Sequence, residues 1–304
     1  MKNMEKEIIK LIEQRGPLIG AEILEATEGE SLLLWRTCKL SKNLTIKTVG
    51  CRYLRLDRRI EGYARLSPSF LREFLTYSII GLSRDSSPVT WRTQEISTHI
   101  EKVSKAKSEL AYSMVSALTD RLGQDLPLGN QVCFILAGDI VYNMAHDIPR
   151  PERSTGKMVN GSDVDMVVIV HDRFPIKLRE RLDEEIYREK QRLLTIPHIR
   201  EEIDYVVKNL DRVREQLRFD TFKHMIACKI LQEGTLLYGS EEIFHSVKTM
   251  LVEHGVIDRL NELERNARAF RKKAEEVLLL EDLKKIKEES LYLFYPSEEA
   301  EEFE

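Results

Sequence analysis

Long apolar runs, closely spaced cysteines and an excess of either charge are all missing from this sequence. Its longest apolar stretches, such as Val164–Val170, are strand-sized and far short of the ~20 residues that cross a bilayer, so no membrane span is expected. The opening, Met1-Lys-Asn-Met-Glu-Lys-Glu7, carries both charge signs and has no apolar stretch of the kind a secretion signal needs. A cytoplasmic location is the expectation. The four cysteines, Cys38, Cys51, Cys133 and Cys228, form no CxxC pair, which argues against a disulfide framework or a zinc site. There is no internal repeat and no long low-complexity linker. The apolar fraction of 42% and charged fraction of 32% are those of a globular chain, and 304 residues suffice for two modest domains.

The formal net charge is only −4, but its distribution is uneven. Between Arg36 and Arg72 stand Arg36, Lys39, Lys42, Lys47, Arg52, Arg55, Arg58, Arg59, Arg65 and Arg72, against Asp57, Glu61 and the adjoining Glu73. Around this basic stretch the apolar spacing predicts helices over 4–14, 18–26 and 31–40, with Gly16 ending the first and Pro17 opening the second. Two β-rich pieces follow, Leu44–Val49 and Arg52–Leu56, with Gly50 between them. Three helices and a hairpin look like a winged helix-turn-helix. Ser67-Pro68 signals a further helix from Ser69 to about Ile80, and a Gly/Ser/Pro cluster at Gly81–Pro88 closes a first domain, 1–88. Arg36 and Lys39 on the third helix, with Arg52 and Arg55 in the wing, are the candidate contacts to nucleic-acid phosphates.

In 89–250 the pattern changes to strands alternating with helices. A helix around Ile100–Leu122 precedes a strand, Val132–Ala137, a glycine turn at Gly138 and a short helix near Ile140–Ala145. A polar loop then leads to a second strand, Val164–Val170. A charged helix, 177–194, leads to a third strand, Ile203–Val207. Nearly all-apolar strands of this kind suit a small α/β (α+β) sheet covered by helices. Residues two apart on a strand share a face, so Asp163 and Asp165 project side by side at its mouth. Two such carboxylates repel unless a cation lies between them, and a hard divalent ion such as magnesium prefers oxygen ligands. Asp204, flanked by Glu201 and Glu202, opens the next strand and can complete the cluster. Such a cluster can hold two metal ions roughly 3.5–4 Å apart for an in-line phosphoryl displacement.

A glycine turn after a strand, a downstream Asp-Val-Asp strand and a third acid on a later strand resemble the DNA polymerase β-like nucleotidyltransferase superfamily over about Val132–Ser240. The resemblance implies that Asp163 and Asp165 ligate both metals, with Asp204 as the acceptor-side ligand or base. It implies Mg2+ (two ions, with Mn2+ as a substitute) and an NTP or dNTP as substrate. Gly138, Asp139, Ser162 and Lys229 then fall at the nucleotide. Asp139 departs from the family, whose glycine turn continues with serine or a second glycine. The loop residues Arg150, Arg153, Ser154, Thr155, Gly156 and Lys157 offer replacement phosphate contacts as a basic flap. His224 is expected to be structural.

The remainder, 251–304, reads as a helical extension with an acidic, aromatic tail. Leu260, Leu263, Ala267, Phe270, Ala274 and Val277 alternate at spacings of three and four, a seam that suits packing on the body or on a second copy of the chain. Tyr292, Tyr295 and Ser297 are candidate hydroxyl acceptors for a chain that labels its own tail. Other acceptors are a nucleotide, a nucleic-acid end, or a partner effector or toxin protein in a defence setting. The rival reading is a DNA-binding regulator whose nucleotidyltransferase domain only senses nucleotide.

Overall fold

The computed structural model describes residues 2–123, 128–152 and 155–296; Arg153, Ser154 and Ser297, singled out above, lie outside them. Two compact units are formed, one by residues 1–99 with 263–304 and one by residues 100–262. The three-part division read from the sequence therefore differs from the structure, because the C-terminal segment folds with the N-terminal one.

The first unit opens with α1 (Lys2–Arg15), which buries Ile8 and Ile12, one turn apart on one face. Gly16, at φ +82°, ends it by adopting the left-handed conformation that side chains resist. A short strand, β1 (Leu18–Ile19), precedes α2 (Gly20–Thr27), whose Glu22 carboxylate reaches back to accept from the Ile19 amide at 2.8 Å. The helix α3 (Ser31–Leu40) follows, then β2 (Leu44–Thr48), β3 (Tyr53–Leu56) and β4 (Ala64–Ser67).

Two expectations fail here. Strands β2 and β3 do not form a hairpin: β3 pairs with β4, and β2 pairs with β5 (Ser78–Leu82). The helix expected from Ser69 to Ile80 begins as foreseen, with Ser69 Oγ accepting from the Arg72 amide, and runs through α4 (Phe70–Arg72) and a π turn ending at Tyr77. It then stops, because Ile79 and Ile80, β-branched and fully buried, form the central strand of an antiparallel β1-β5-β2 sheet. The core gathers around Trp35, whose ring lies 5.5 Å from Phe70 and 5.6 Å from Phe294.

The helix α5 (Ser86–Leu122) starts within the presumed boundary region and runs from the first unit into the second. There follow β6 (Val132–Ala137), a 3-10 turn over Gly138–Tyr142, the hairpin of β7 (Pro149–Pro151) and β8 (Met158–Asn160), β9 (Val164–Val170), α6 (Ile176–Thr195) and β10 (Ile203–Asn209). Then come α7 (Leu210–Gln216), α8 (Phe222–Glu233), β11 (Thr235–Gly239), α9 (Glu241–Glu253) and α10 (Val256–Leu280). The sheet order is β10-β9-β6-β11, with β9 and β10 parallel and the other pairings antiparallel, a mixed α/β arrangement.

Ala111, Met114, Val115 and Leu118 of α5 and Leu182 and Ile186 of α6 cover one sheet face, meeting Phe134, Leu136, Met166 and Val168. The opposite face is covered by α7, α8 and α9, which contact β10 and β6. Among the described residues no helix is long and apolar enough to cross a membrane.

Lys208, near the end of β10, is buried and donates to Gln216 Oε1 at 2.8 Å. Burial pushes its pKa down to about 8. The unfolded chain, with a lysine pKa of about 10.4, therefore holds a proton that the folded chain sheds between pH ~8 and ~10.4. Stability from this residue rises with pH through that window and is lowest below pH 8. Lys208→Met should raise the melting temperature at pH 7, and the gain should shrink by pH 10.5. An equal gain at both values would show that charge is not the cause.

Candidate metal and nucleotide site

The acids are brought together by strand pairing. β9 and β10 run parallel with Asp165 opposite Asp204, and Ala137 at the end of antiparallel β6 lies opposite Asp165 on the other side. Laterally paired residues share a sheet face, as do residues two apart along a strand. Asp163, Asp165, Glu202 and Asp204 therefore all rise from one face at one end of the sheet. Carboxylate oxygens of Asp163, Glu202 and Asp204 lie within 4.8 Å of one another. Glu202 is buried, while the Asp204 side chain is 56% exposed and ion-paired at 3.1 Å to Lys190 of α6.

Asp165, expected as a ligand, is not of that group; its carboxylate lies against Gly138. A Cβ on Gly138 would stand 2.0 Å from Asp165 Oδ2, and Gly138 also has φ +71°. The turn therefore needs glycine for conformation and for room. The Gly138 amide donates to Glu233 Oε1 at 3.4 Å, and the other Glu233 oxygen pairs with Lys229 one turn back on α8. Lys229 is itself buried, 5.1 Å above the Tyr142 ring. The expected phosphate lysine is thus at the glycine turn, already engaged by a carboxylate.

The small pair before Asp163 is explained by close approach. Gly161, at φ +65°, would place a Cβ 1.9 Å from the His146 carbonyl oxygen. Ser162 Oγ accepts from the His146 amide and donates to Asp139 Oδ2, each at 3.1 Å. That bond accounts for the acid in the glycine turn: Asp139 braces the loop entering β9. Lys107 of α5 adds a second brace, donating to Asn160 O at 2.7 Å and pairing with Glu201. Burial holds the Lys107 pKa below and the Glu201 pKa above their usual ranges.

The polar loop foreseen between the strands is instead the β7–β8 hairpin. Lys157 sits exposed near its tip, while Arg150 turns inward. Arg150 Nη2 pairs with Asp163 Oδ1 and, at 2.9 Å, with Glu202 Oε2, and Nε donates to Gly161 O at 2.8 Å. Two buried carboxylate oxygens met by a cation, with the Asp204 carboxylate beside them, are a donor set that suits a hard divalent ion.

Sequence reasoning missed Glu202 as a member. Its signal was present, since Glu202-x-Asp204 repeats the i, i+2 spacing of Asp163-x-Asp165. Arg150 was noticed only as one basic loop residue among several. His224, expected to be structural, lies 2.6 Å from Asp220 at the start of α8.

In the first unit the candidate nucleic-acid contacts are largely engaged by the chain itself. Arg36 donates to Glu281 O at 2.6 Å, Lys39 pairs with Glu275 at 2.8 Å, and Arg52 forms a two-pronged pair with Glu73 at 2.5 and 2.8 Å. Arg55 lies exposed on β3. Of the candidate acceptors, Tyr292 is exposed and Tyr295 is half-buried, its ring 6.1 Å from Phe294.

No protein-family model and no curated protein matches this sequence. A solved structure of a mutant of the toxin–antitoxin pair MntA–HpeT is similar at 14% identity and a TM-score of 0.25, spanning 54% of this chain and 98% of that one. A likeness that slight bears on neither fold nor function.

Gly138→Ala should be among the most damaging single-methyl additions in the second unit. It adds backbone strain at a positive φ, worth about 1 kcal/mol or more, to a clash with Asp165. Denaturant unfolding should show the loss, whereas Gly156→Ala, which meets nothing within 4 Å, should cost only the strain. Equal losses would contradict the close approach of Asp165.

Proposed function

We propose that the chain is a metal-dependent nucleotidyltransferase that moves a nucleoside monophosphate from a triphosphate to a hydroxyl, and that its second unit is a polymerase β-like catalytic domain. The observation that carries this reading is the convergence of Asp163, Glu202 and Asp204 within 4.8 Å beside Asp165 and the Gly138 turn. Divalent cations held there would neutralise charge developing on the attacking and leaving oxygens of an in-line displacement.

The chain's own groups have separate tasks. Asp163, Glu202 and Asp204 hold the cation, with Asp165 as the fourth oxygen donor of the same face. The Gly138 amide and Lys229 provide a donor and a positive charge at the glycine turn, where Glu233 is the anion a triphosphate oxygen would replace. Lys157, exposed near the hairpin tip, would meet the distal phosphates.

The first unit fits a winged-helix-like module in which β2 and β5 are the wing strands and residues 49–77 are an insertion between them. Internal pairing of Arg36, Lys39 and Arg52 leaves the DNA-binding regulator without an observation in its favour. A hydroxyl on protein is one acceptor open to such a domain, and Tyr292 is the exposed tail candidate for it. A defence or toxin–antitoxin setting belongs to the same proposal.

Purified chain incubated with Mg2+ and each labelled NTP and dNTP should transfer label, read on a denaturing gel and by intact mass. Asp163→Asn and Asp204→Asn each remove a cation ligand worth several kcal/mol to the transition state, so turnover should fall on the order of 10³-fold. Label on the chain that disappears in Tyr292→Phe identifies the acceptor. Transfer that persists undiminished in both aspartate variants would reject the proposed site.

A further inference from the structure

Four carboxylates rise from one face of two neighbouring strands, and like charges so placed repel strongly in a partly buried setting. At Asp163 and Glu202 the described chain meets that repulsion with Arg150, and at Asp204 with Lys190. Arg150, 7% exposed, extends from β7 so that a single guanidinium nitrogen lies against both Asp163 Oδ1 and Glu202 Oε2. Its Nε is fixed by Gly161 O at 2.8 Å. Asp163 and Glu202 are two of the three residues of the cation-capable group. A divalent cation held by those two carboxylates meets the guanidinium already seated on them, and the guanidinium has to move.

We propose that Arg150 is the resident counter-ion of the acidic face, and that a divalent cation binds there only by displacing its guanidinium. The inference rests on the reading of that face as a cation site. The part that yields is the Arg150 side chain, carried on β7 opposite Val159. The hairpin itself stays tied to the body at Asn160 of β8, which donates to Arg200 O at 2.9 Å and to Ile199 O at 2.6 Å and accepts from Lys107 at 2.7 Å. Metal entry and release of the guanidinium become one event, which turns the freed Arg150 into a group available for a triphosphate only once the cation is in place.

The test is Mn2+ binding, followed by the EPR signal of the free ion, in the unaltered chain, Arg150→Gln, Arg150→Lys and Asp204→Asn. Removing the competitor should tighten binding at least about tenfold in Arg150→Gln, while Arg150→Lys, which keeps the charge, should stay close to the unaltered chain. Asp204→Asn should weaken binding. The metal-free Arg150→Gln should also melt lower than the unaltered chain and recover with Mn2+.

If the unaltered chain binds Mn2+ and Arg150→Gln binds it no more tightly, the displacement is wrong while the cation site stands. If neither binds, the cation site fails and the displacement with it. Should Arg150→Gln not fold, phenylglyoxal labelling of the unaltered chain, read by peptide mass, decides. Saturating Mn2+ should speed modification of the buried Arg150 guanidinium, and unchanged labelling there would overturn the proposal.

Discussion

Placing several carboxylates at the mouth of a parallel strand pair is costly, and much around them in the second unit answers that cost. Parallel pairing of β9 and β10 sets Asp165 beside Asp204 and brings Asp163 and Glu202 onto the same face. In water these charges would spread apart, but backbone hydrogen bonds hold the strands in register. Each acid is then met separately: Arg150 on Asp163 and Glu202, Lys190 on Asp204, and close packing against Gly138 for Asp165.

The braces around this face are themselves buried and charged. Lys107 and Glu201 pair within the second unit, and Lys107 also caps the Asn160 carbonyl just before the strand begins. Buried pairs of this kind add little net stability, since desolvation offsets most of the attraction, but breaking one partner is expensive. They are suited to fixing geometry. Ser162 and Asp139 serve the same end with a hydrogen bond, which makes the acidic residue of the glycine turn a support for β9.

Much of the second unit was legible in the sequence. Strands β6 and β9 fall where the apolar runs end, because they are buried almost throughout, and α6 and β10 differ from expectation by one or two residues. The β7–β8 hairpin was not legible, since Pro149-Arg150-Pro151 carries no alternation and gives no sign of a paired strand. The first unit misled for a related reason. Gly50 suggested a local turn between Leu44–Val49 and Arg52–Leu56, yet β2 finds its partner in Ile79 and Ile80, which the helical pattern of 69–80 had claimed. Long-range pairing outweighed the local signal. At the site, Asp163 and Asp165 were singled out by their spacing, and Asp204 by its place at the start of the next strand. Glu202 was passed over because three acids within four residues hide which of them share the face of Asp163 and Asp165, and only the register resolves that. The basic residues of the first unit looked free in sequence because Glu73, Glu275 and Glu281, which engage them, lie far along the chain.

The central claim is that the acidic face binds a divalent cation for nucleotidyl transfer. Crystals grown with Mn2+ and a non-hydrolysable nucleoside triphosphate analogue, with data collected for anomalous scattering from manganese, test it most directly. The account predicts an anomalous peak among the Asp163, Glu202 and Asp204 carboxylates, with the triphosphate at the Gly138 turn. Manganese bound elsewhere, with the Arg150 guanidinium still seated on Asp163 and Glu202, would contradict it.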